Sequence, residues 1–400
     1  MYQIGNEKVP IYKIILLFLV IYFSSNSFVL AVKYEANSTA LMFLVVVLAI
    51  GITLIKGWYY VSQDMLFLMI VMTVNIAMTI IATGYLNAYF LLILIFILVI
   101  SVVHLYSRQE FYEAYILNMK VIALCSIIIG IIQNLSPGML HAFKTYSMPN
   151  GGAYRDVFLC FQNVGLMRIN GIWGEAGMFS VFLIFAMIME CFYVNREVKI
   201  SNYVIFVVAI ALTFSTNGII CLTLLLITIL LQKKQSKHMY KVIISTIVLL
   251  VIFYVVIKNV PDVSNLFTAS LSKLDSDDIS FAGRMAPILY NLEEGVKSLI
   301  WGNGIKGGRF YVDYSFYSGP LYCNTSTTTF LFSSFGIIFC AATIYLTYRF
   351  VKSANRVQWV SIMLFIIIML NINTQAVHLD QIYYLILFSS YMTNVQRGKD

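Results

Sequence analysis

The chain has 400 residues, 60 % of them hydrophobic and only 11 % charged, with a formal net charge of +8 and a mean hydropathy of +0.85. Soluble domains carry roughly 25 % charged residues, so the composition excludes an ordinary water-soluble enzyme and points to a polytopic membrane protein. The positive charge does not indicate nucleic acid, because the basic residues fall in short blocks between apolar runs, which is how membrane topology is encoded.

A helix needs about 20 mostly apolar residues to cross the hydrocarbon core. Candidate spans lie at roughly 11–32, 39–55, 64–82, 86–104, 115–135, 173–194, 201–215, 217–232, 240–258, 326–350, 357–372 and 377–394. The first, behind Lys8 and Lys13, lacks a small-residue cleavage site followed by a soluble domain, and reads as a retained helix. The seventh and eighth are short and meet at Ser215-Thr216-Asn217-Gly218, a turn by composition. The expected fold is all-α, one polytopic domain over 1–400 with about 12 transmembrane helices.

Charge then sets orientation. Lys8, Lys13, Lys56, Arg108, Lys120, Arg196, Lys199, Lys233 to Lys241, Arg349 to Arg356, Arg397 and Lys399 fall on one side, whereas the short connections 33–38, 83–85, 215–217 and 373–376 hold only Lys33. This places both termini in the cytoplasm. Two long outer loops result, 136–172 and 259–325, while the inner loops are short and carry no nucleotide-binding motif. Any chemistry therefore belongs to the outer face or the membrane and proceeds without ATP.

The first outer loop ends in Arg168-Ile169-Asn170-Gly171-Ile172-Trp173-Gly174-Glu175, with the carboxylate at the mouth of an apolar run. An ionisable group inside a membrane helix is costly and suggests function. An ion pair between Arg168 and Glu175 that merely seats the helix is the plainer alternative.

In the second loop, Met285, Ile288, Leu289, Leu292, Val296 and Leu299 recur at helical spacing, with Glu293, Glu294 and Lys297 opposite. This predicts an amphipathic helix near 284–299, lying in the outer interface or packed on neighbouring spans. Gly302-Asn303-Gly304-Ile305-Lys306-Gly307 follows. It has no strand before it, which excludes a dinucleotide fold. With Lys306 and Arg309 it offers N–H groups and cations to a phosphate, or else is a plain turn.

Six cysteines form no scaffold, although Cys160 and Cys323 lie in the two outer loops and a disulfide between them is conceivable. The four histidines, His104, His141, His238 and His378, have no metal-ligand spacing, so no metal or cofactor is expected. Asp275, Asp277, Asp278, Glu293 and Glu294 have no spacing that fixes a glycosidase-like pair. The outward arginines Arg155, Arg168, Arg284 and Arg309 run against the positive-inside bias, and their planar forks suit phosphate.

The order of these elements resembles the O-antigen polymerase and ligase superfamily of bacterial envelope glycan assembly. Arg168 to Glu175 is similar to its R-x-x-G-x-x-x-E lead-in to a span. Thr213-Phe214-Ser215-Thr216-Asn217-Gly218-Ile219 resembles its T-x-S-R-x-G turn, with Thr216-Asn217 where arginine is frequent. Arg284 with Trp301-Gly302-Asn303-Gly304 looks like its R…G-x-G run, and Asn324 with Phe335-Gly336-Ile337 like its H-N…G return. The resemblance covers roughly 165–340.

It implies a glycosyltransferase in the bacterial inner membrane, a polysaccharide polymerase joining undecaprenyl-diphosphate-linked oligosaccharide units without cofactor. Cys323, where ligases carry histidine, favours polymerase over ligase; a flippase is a further alternative. Catalytic roles would fall to Glu175, Arg168, Arg284 and, as a reserve base, His378; substrate binding to Arg155, Arg309, Lys306, Asn324 and Asn217. Partners would be the lipid-linked oligosaccharide, the bilayer and a chain-length regulator, and not nucleic acid.

Overall fold

The computed structural model describes residues 2–230 and 279–393, apart from 5–6, 34–37, 58, 85–86, 148–152, 165–167, 196, 306–309, 315–316, 322–324 and 355, and only isolated residues between 231 and 278. The ninth expected span, the basic segment Lys233 to Lys241, Asp275 to Asp278, Lys306, Arg309, Cys323 and Asn324 lie outside the described residues.

The chain is mostly helical, and among the described residues five helices are long and apolar enough to cross a membrane: Ser38–Lys56, Gln63–Thr83, Arg108–Leu135, Ala176–Tyr193 and Thr327–Lys352. It forms two compact units, Met1–Ser38 with Tyr112–Ser272 and Arg356–Asn371, and Thr39–Phe111 with Lys273–Asn355 and Ile372–Asp400.

The first unit begins with a short hairpin, β1 (Tyr2–Ile4) and β2 (Glu7–Val9), and α1 (Ile11–Tyr22). The helix covers half of the expected 11–32 span. Ser24, Ser25, Asn26 and Ser27 follow, and the backbone of Ser27 and Phe28 turns aside to pair with Trp173 and Ile172. Most of α5 (Arg108–Leu135) belongs here; its 28 residues give about 42 Å, ample for a span.

A three-stranded antiparallel sheet follows, β3 (Thr145–Ser147), β4 (Ala153–Val157) and β5 (Cys160–Asn163), in the order β3-β4-β5. These strands are a local addition to a mostly helical chain, and the helical expectation holds for the long apolar elements. The strands arise around a two-residue hairpin turn at Phe158 and Leu159, which apolar counting over long windows does not register.

Next come α6 (Ala176–Ile188), α7 (Ile200–Leu212) and α8 (Thr216–Leu230). Helix α6 is hydrophobic all round, and its residues are buried almost without exception, with α7 and α8 packed on it and on each other. Tyr115 of α5 donates to the Phe182 carbonyl at 3.1 Å, and Asn371 of α11 (Gln358–Ile372) to the Val181 carbonyl at 3.0 Å. Below α6, a turn of π-helix over Met189–Tyr193 carries Glu190, which accepts from the Lys199 amide at 2.7 Å and Asn202 Nδ2 at 3.0 Å. A carboxylate at the N-terminus of α7 meets the helix dipole and its unsatisfied amides, which explains a buried acid that the sequence reading passed over.

The second unit holds α2 (Ser38–Lys56), α3 (Gln63–Thr83), α4 (Asn87–Leu105), α9 (Ile279–Lys297), α10 (Thr327–Lys352), α12 (Gln381–Phe388) and a hairpin, β6 (Phe310–Tyr314) with β7 (Tyr317–Leu321). Helices α3 and α9 pack on α10, and α12 packs on α4 and α10. Helix α12 has only eight residues within the expected 377–394 span. Arg108 ends it by donating to the Ser390 carbonyl at 2.8 Å and the Met392 carbonyl at 3.1 Å, a cation at a helix C-terminus.

Helix α10 is broken at Gly336, where φ is +78°. The segment after α9 fills the break: Asn303 N donates to the Ser333 carbonyl at 2.7 Å, Gly304 N to Ser334 at 2.9 Å, and Ile337 N to Leu299 at 2.8 Å. Interrupted helical backbone at membrane depth is tolerated only when other protein groups satisfy it, and this segment does so.

Candidate functional site

In the first unit the stretch Arg168–Glu175 is stitched to three neighbours. Phe161 N donates to the Gly171 carbonyl at 2.7 Å, Phe28 N to Ile172 at 2.8 Å, and Ile169 N to Leu212 at the end of α7 at 3.2 Å. Gly171 has φ +63°, and a Cβ there would stand 2.9 Å from the Phe179 ring. Only glycine fits the turn.

Arg168 uses this placement to donate from Nη2 to the Phe214 carbonyl at 2.6 Å. Phe214 lies in the turn between α7 and α8 with φ +47°, a left-handed conformation uncommon for a bulky side chain. Two motifs some 40 residues apart thus meet: the arginine of one grips the strained peptide of the other. Beside it Ser180 donates to Ser215 Oγ at 3.2 Å, and Gly218 approaches α6 so closely that a Cβ would lie 2.9 Å from that of Ser180.

The ion pair considered between Arg168 and Glu175 does not form. Glu175 is exposed at the N-cap of α6, makes no capping bond, and has no ion-pair partner among the described residues. A further polar group, not singled out in the sequence, couples electrostatically to Glu175. Tyr154, on β4, is buried against Phe28 with ring centroids 5.1 Å apart, and Phe28 in turn faces Gly174. Burial raises the Tyr154 phenol, a hydrogen bond with Asn163 lowers it, and the Glu175 carboxylate and Arg168 guanidinium act on it from either direction. The pairing of β4 with β5 places Tyr154 and Phe161 on one face.

Asn217, expected to contact substrate, is buried: its Nδ2 donates to Asn371 Oδ1 at 3.3 Å, joining α8 to α11. Arg155 is also buried, and its Nη1 reaches the Pro137 carbonyl at 3.5 Å. Cys160 is a free thiol packed on α5, 3.2 Å from Ser126 Oγ, and burial pushes it up to about 12.

In the second unit Arg284 lies half-buried on α9 and makes no hydrogen bond or ion pair among the described residues. The predicted helix is present and begins earlier, at Ile279. It buries its small and polar face, Ala282, Ala286 and Asn291, against its own unit and leaves Leu292, Val296 and Leu299 exposed. Glu294 pairs with Lys297, and Glu293 accepts from Tyr314 at 3.2 Å.

Of the glycine turn, Gly302 to Ile305 lie among the described residues. The amides of Gly302, Asn303, Gly304 and Ile305 are all committed, the last to Tyr89 Oη at 3.1 Å, and so none is offered to a phosphate. Gly302 and Gly336 have φ of +70° and +78° because the two backbones touch there: a Cβ on Gly302 would lie 2.4 Å from Phe335 N. The motif is a clasp.

His378 is buried and stacked on Phe330 with centroids 3.8 Å apart, and its Nδ1 has no hydrogen-bond partner. Desolvation lowers its pKa to about 3, so it stays neutral and is a weak proton acceptor. Among the described residues no three His, Cys, Asp or Glu side chains converge as a metal ion would need. No family model, curated protein or solved structure matches the chain at a significant level.

Proposed function

We propose that the protein is a membrane polysaccharide polymerase that joins oligosaccharide repeat units carried on undecaprenyl diphosphate at the outer face of the bacterial inner membrane. The reading rests on the resemblance, and the observation that best supports it is the Arg168–Phe214 contact. It joins two of the four motifs on which the resemblance was based, with an exposed carboxylate beside them.

In the reaction an acceptor sugar hydroxyl attacks the anomeric carbon of the donor. A new C–O bond forms, the bond to diphosphate breaks, and its electron pair leaves with the diphosphate. Glu175, exposed and without an ion-pair partner, takes the proton of the attacking hydroxyl. Tyr154, in the field of both Glu175 and Arg168, helps to hold the local charge. Arg168 orders the turn at Phe214 and adds positive charge where the leaving group develops its own. Arg284 is a separate candidate cation for phosphate, since no described group engages it. His378 is the weaker base candidate, because a strongly desolvated imidazole holds a proton poorly.

The test is the surface polysaccharide of cells lacking this chain, re-supplied with variants at equal protein level. Deletion is expected to collapse a ladder to a single repeat unit. Glu175→Gln should lower polymer formation by roughly 10²-fold or more, as for loss of a general base. Arg168→Lys, which cannot reproduce the guanidinium fork, should leave short chains. Disappearance of the single repeat as well would favour a ligase or flippase, and an unchanged ladder would sink the reading.

A further inference from the structure

The β4–β5 hairpin turns through Phe158 and Leu159, between the paired residues Val157 and Cys160. Two-residue hairpin turns with positive φ at the first position select Gly, Asn or Asp. Here that position holds a phenylalanine with φ +54°, and its side chain is 78 % exposed. The chain thus keeps both a strained backbone and a bare aromatic ring at one point, and its ring partner among the described residues is Phe143, edge-on at 5.3 Å. Neither feature helps the isolated fold.

The surroundings indicate what the ring meets. Helix α5, a span by length and hydropathy, exposes Leu124, Ile128, Ile131 and Leu135 at helical spacing, the stripe expected to face lipid. The stripe does not stop where the helix does. Met139, in the 3₁₀ turn that follows, is 68 % exposed, and Phe143 and Phe158 come next. Lys144 is exposed directly beyond them, with its ammonium 4.8 Å from the Tyr146 ring. The hairpin tip lies beside the stripe itself, because Cys160, which closes the turn, meets Ser126 Oγ of α5 at 3.2 Å. An apolar stripe, an exposed aromatic and a nearby cation are the groups expected where acyl chains meet headgroups.

We propose that the tip of the β4–β5 hairpin inserts Phe158 into the phospholipid leaflet beside the C-terminal half of α5, seating the sheet that carries Tyr154 and Arg155 on the membrane surface. Continuity with the lipid-facing stripe of α5 selects lipid over a protein partner, and this holds whatever reaction the protein performs.

Phe158→Trp in the full chain, reconstituted in nanodiscs of phosphatidylethanolamine and phosphatidylglycerol, provides the test, read as the difference from the parent protein with its four tryptophans. The added emission should be blue-shifted, quenched by about half or more with brominated acyl chains, and insensitive to acrylamide. Met139→Trp, on the same surface, should behave alike and serves if the first variant does not accumulate. Red-shifted emission quenched by acrylamide would overturn the proposal. Blue-shifted emission indifferent to both quenchers would also overturn it, since a protein surface would then cover the ring.

Discussion

Arg168 and Glu175 are separated by a single turn, and charge alone would pair them, yet they do different things. Backbone bonds to β5 and to Leu212 fix the Arg168 main chain so that its guanidinium reaches the Phe214 carbonyl, and Glu175 is left exposed at the start of α6. His378 changes as well: a reserve base in the sequence is a desolvated ring on Phe330 in the fold. Its titration gives a signed prediction. With a folded pKa near 3 and an ordinary value of about 6.5 when unfolded, the unfolded state binds more protons between these limits. Stability should therefore be complete above about pH 6.5 and fall by roughly 1.4 kcal/mol per unit as the pH drops below it. Thermal melts of the detergent-solubilised protein from pH 7.5 to 5 would read this, and His378→Phe should flatten the dependence. An equally steep fall in the variant would assign it to other groups.

At the level of elements, the glycines of 302–304 and Gly336 form a joint. Gly336 interrupts α10, and the segment after α9 satisfies the amide and carbonyls that the break exposes. A Cβ on Gly336 would lie 2.1 Å from the Ile300 carbonyl oxygen, which is backbone and cannot step aside. Gly336→Ala should then cost on the order of 3 kcal/mol, through overpacking together with a left-handed φ. The expected outcome is low membrane yield and early melting. Gly138→Ala, where a Cβ meets nothing within 4 Å, is the control. The literal G-x-G pattern invited a phosphate reading because sequence shows the glycines but not the carbonyls that take their amides.

Burial across the whole molecule separates the apolar helices by role. The most hydrophobic window of Ala176–Tyr193 is 94 % buried, whereas those of Ser38–Lys56 and Gln63–Thr83 are 22 % and 33 % buried. The first is the kernel of its unit, and the others present Phe43, Leu44, Phe67 and Ile70 outward, as lipid-facing helices do. Charge placement further predicts that Glu175 and Lys199 lie on opposite faces of the membrane. With the endogenous thiols replaced, Glu175→Cys should react with a membrane-impermeant maleimide on intact spheroplasts, and Lys199→Cys only after lysis. Labelling of both from one side would overturn the topology.

By itself the sequence determined the solvent of this protein and the type of most elements. Hydropathy over 18 or more residues and the distribution of lysine and arginine are sums, insensitive to what packs where. It also located the turn between α7 and α8 and, near 284–299, the helix that runs over Ile279–Lys297, because glycine, serine and apolar periodicity act locally. Tertiary structure alone decided that Ser24 to Ser27 end α1 early, that the first long loop folds into a sheet, and that Asn217 is buried against Asn371. It also decided that Arg168 serves the Phe214 carbonyl and not Glu175. Each of these depends on which distant backbone group supplies a missing hydrogen bond. With little water to supply one in an apolar setting, that partner is fixed by the fold as a whole and has no local signature.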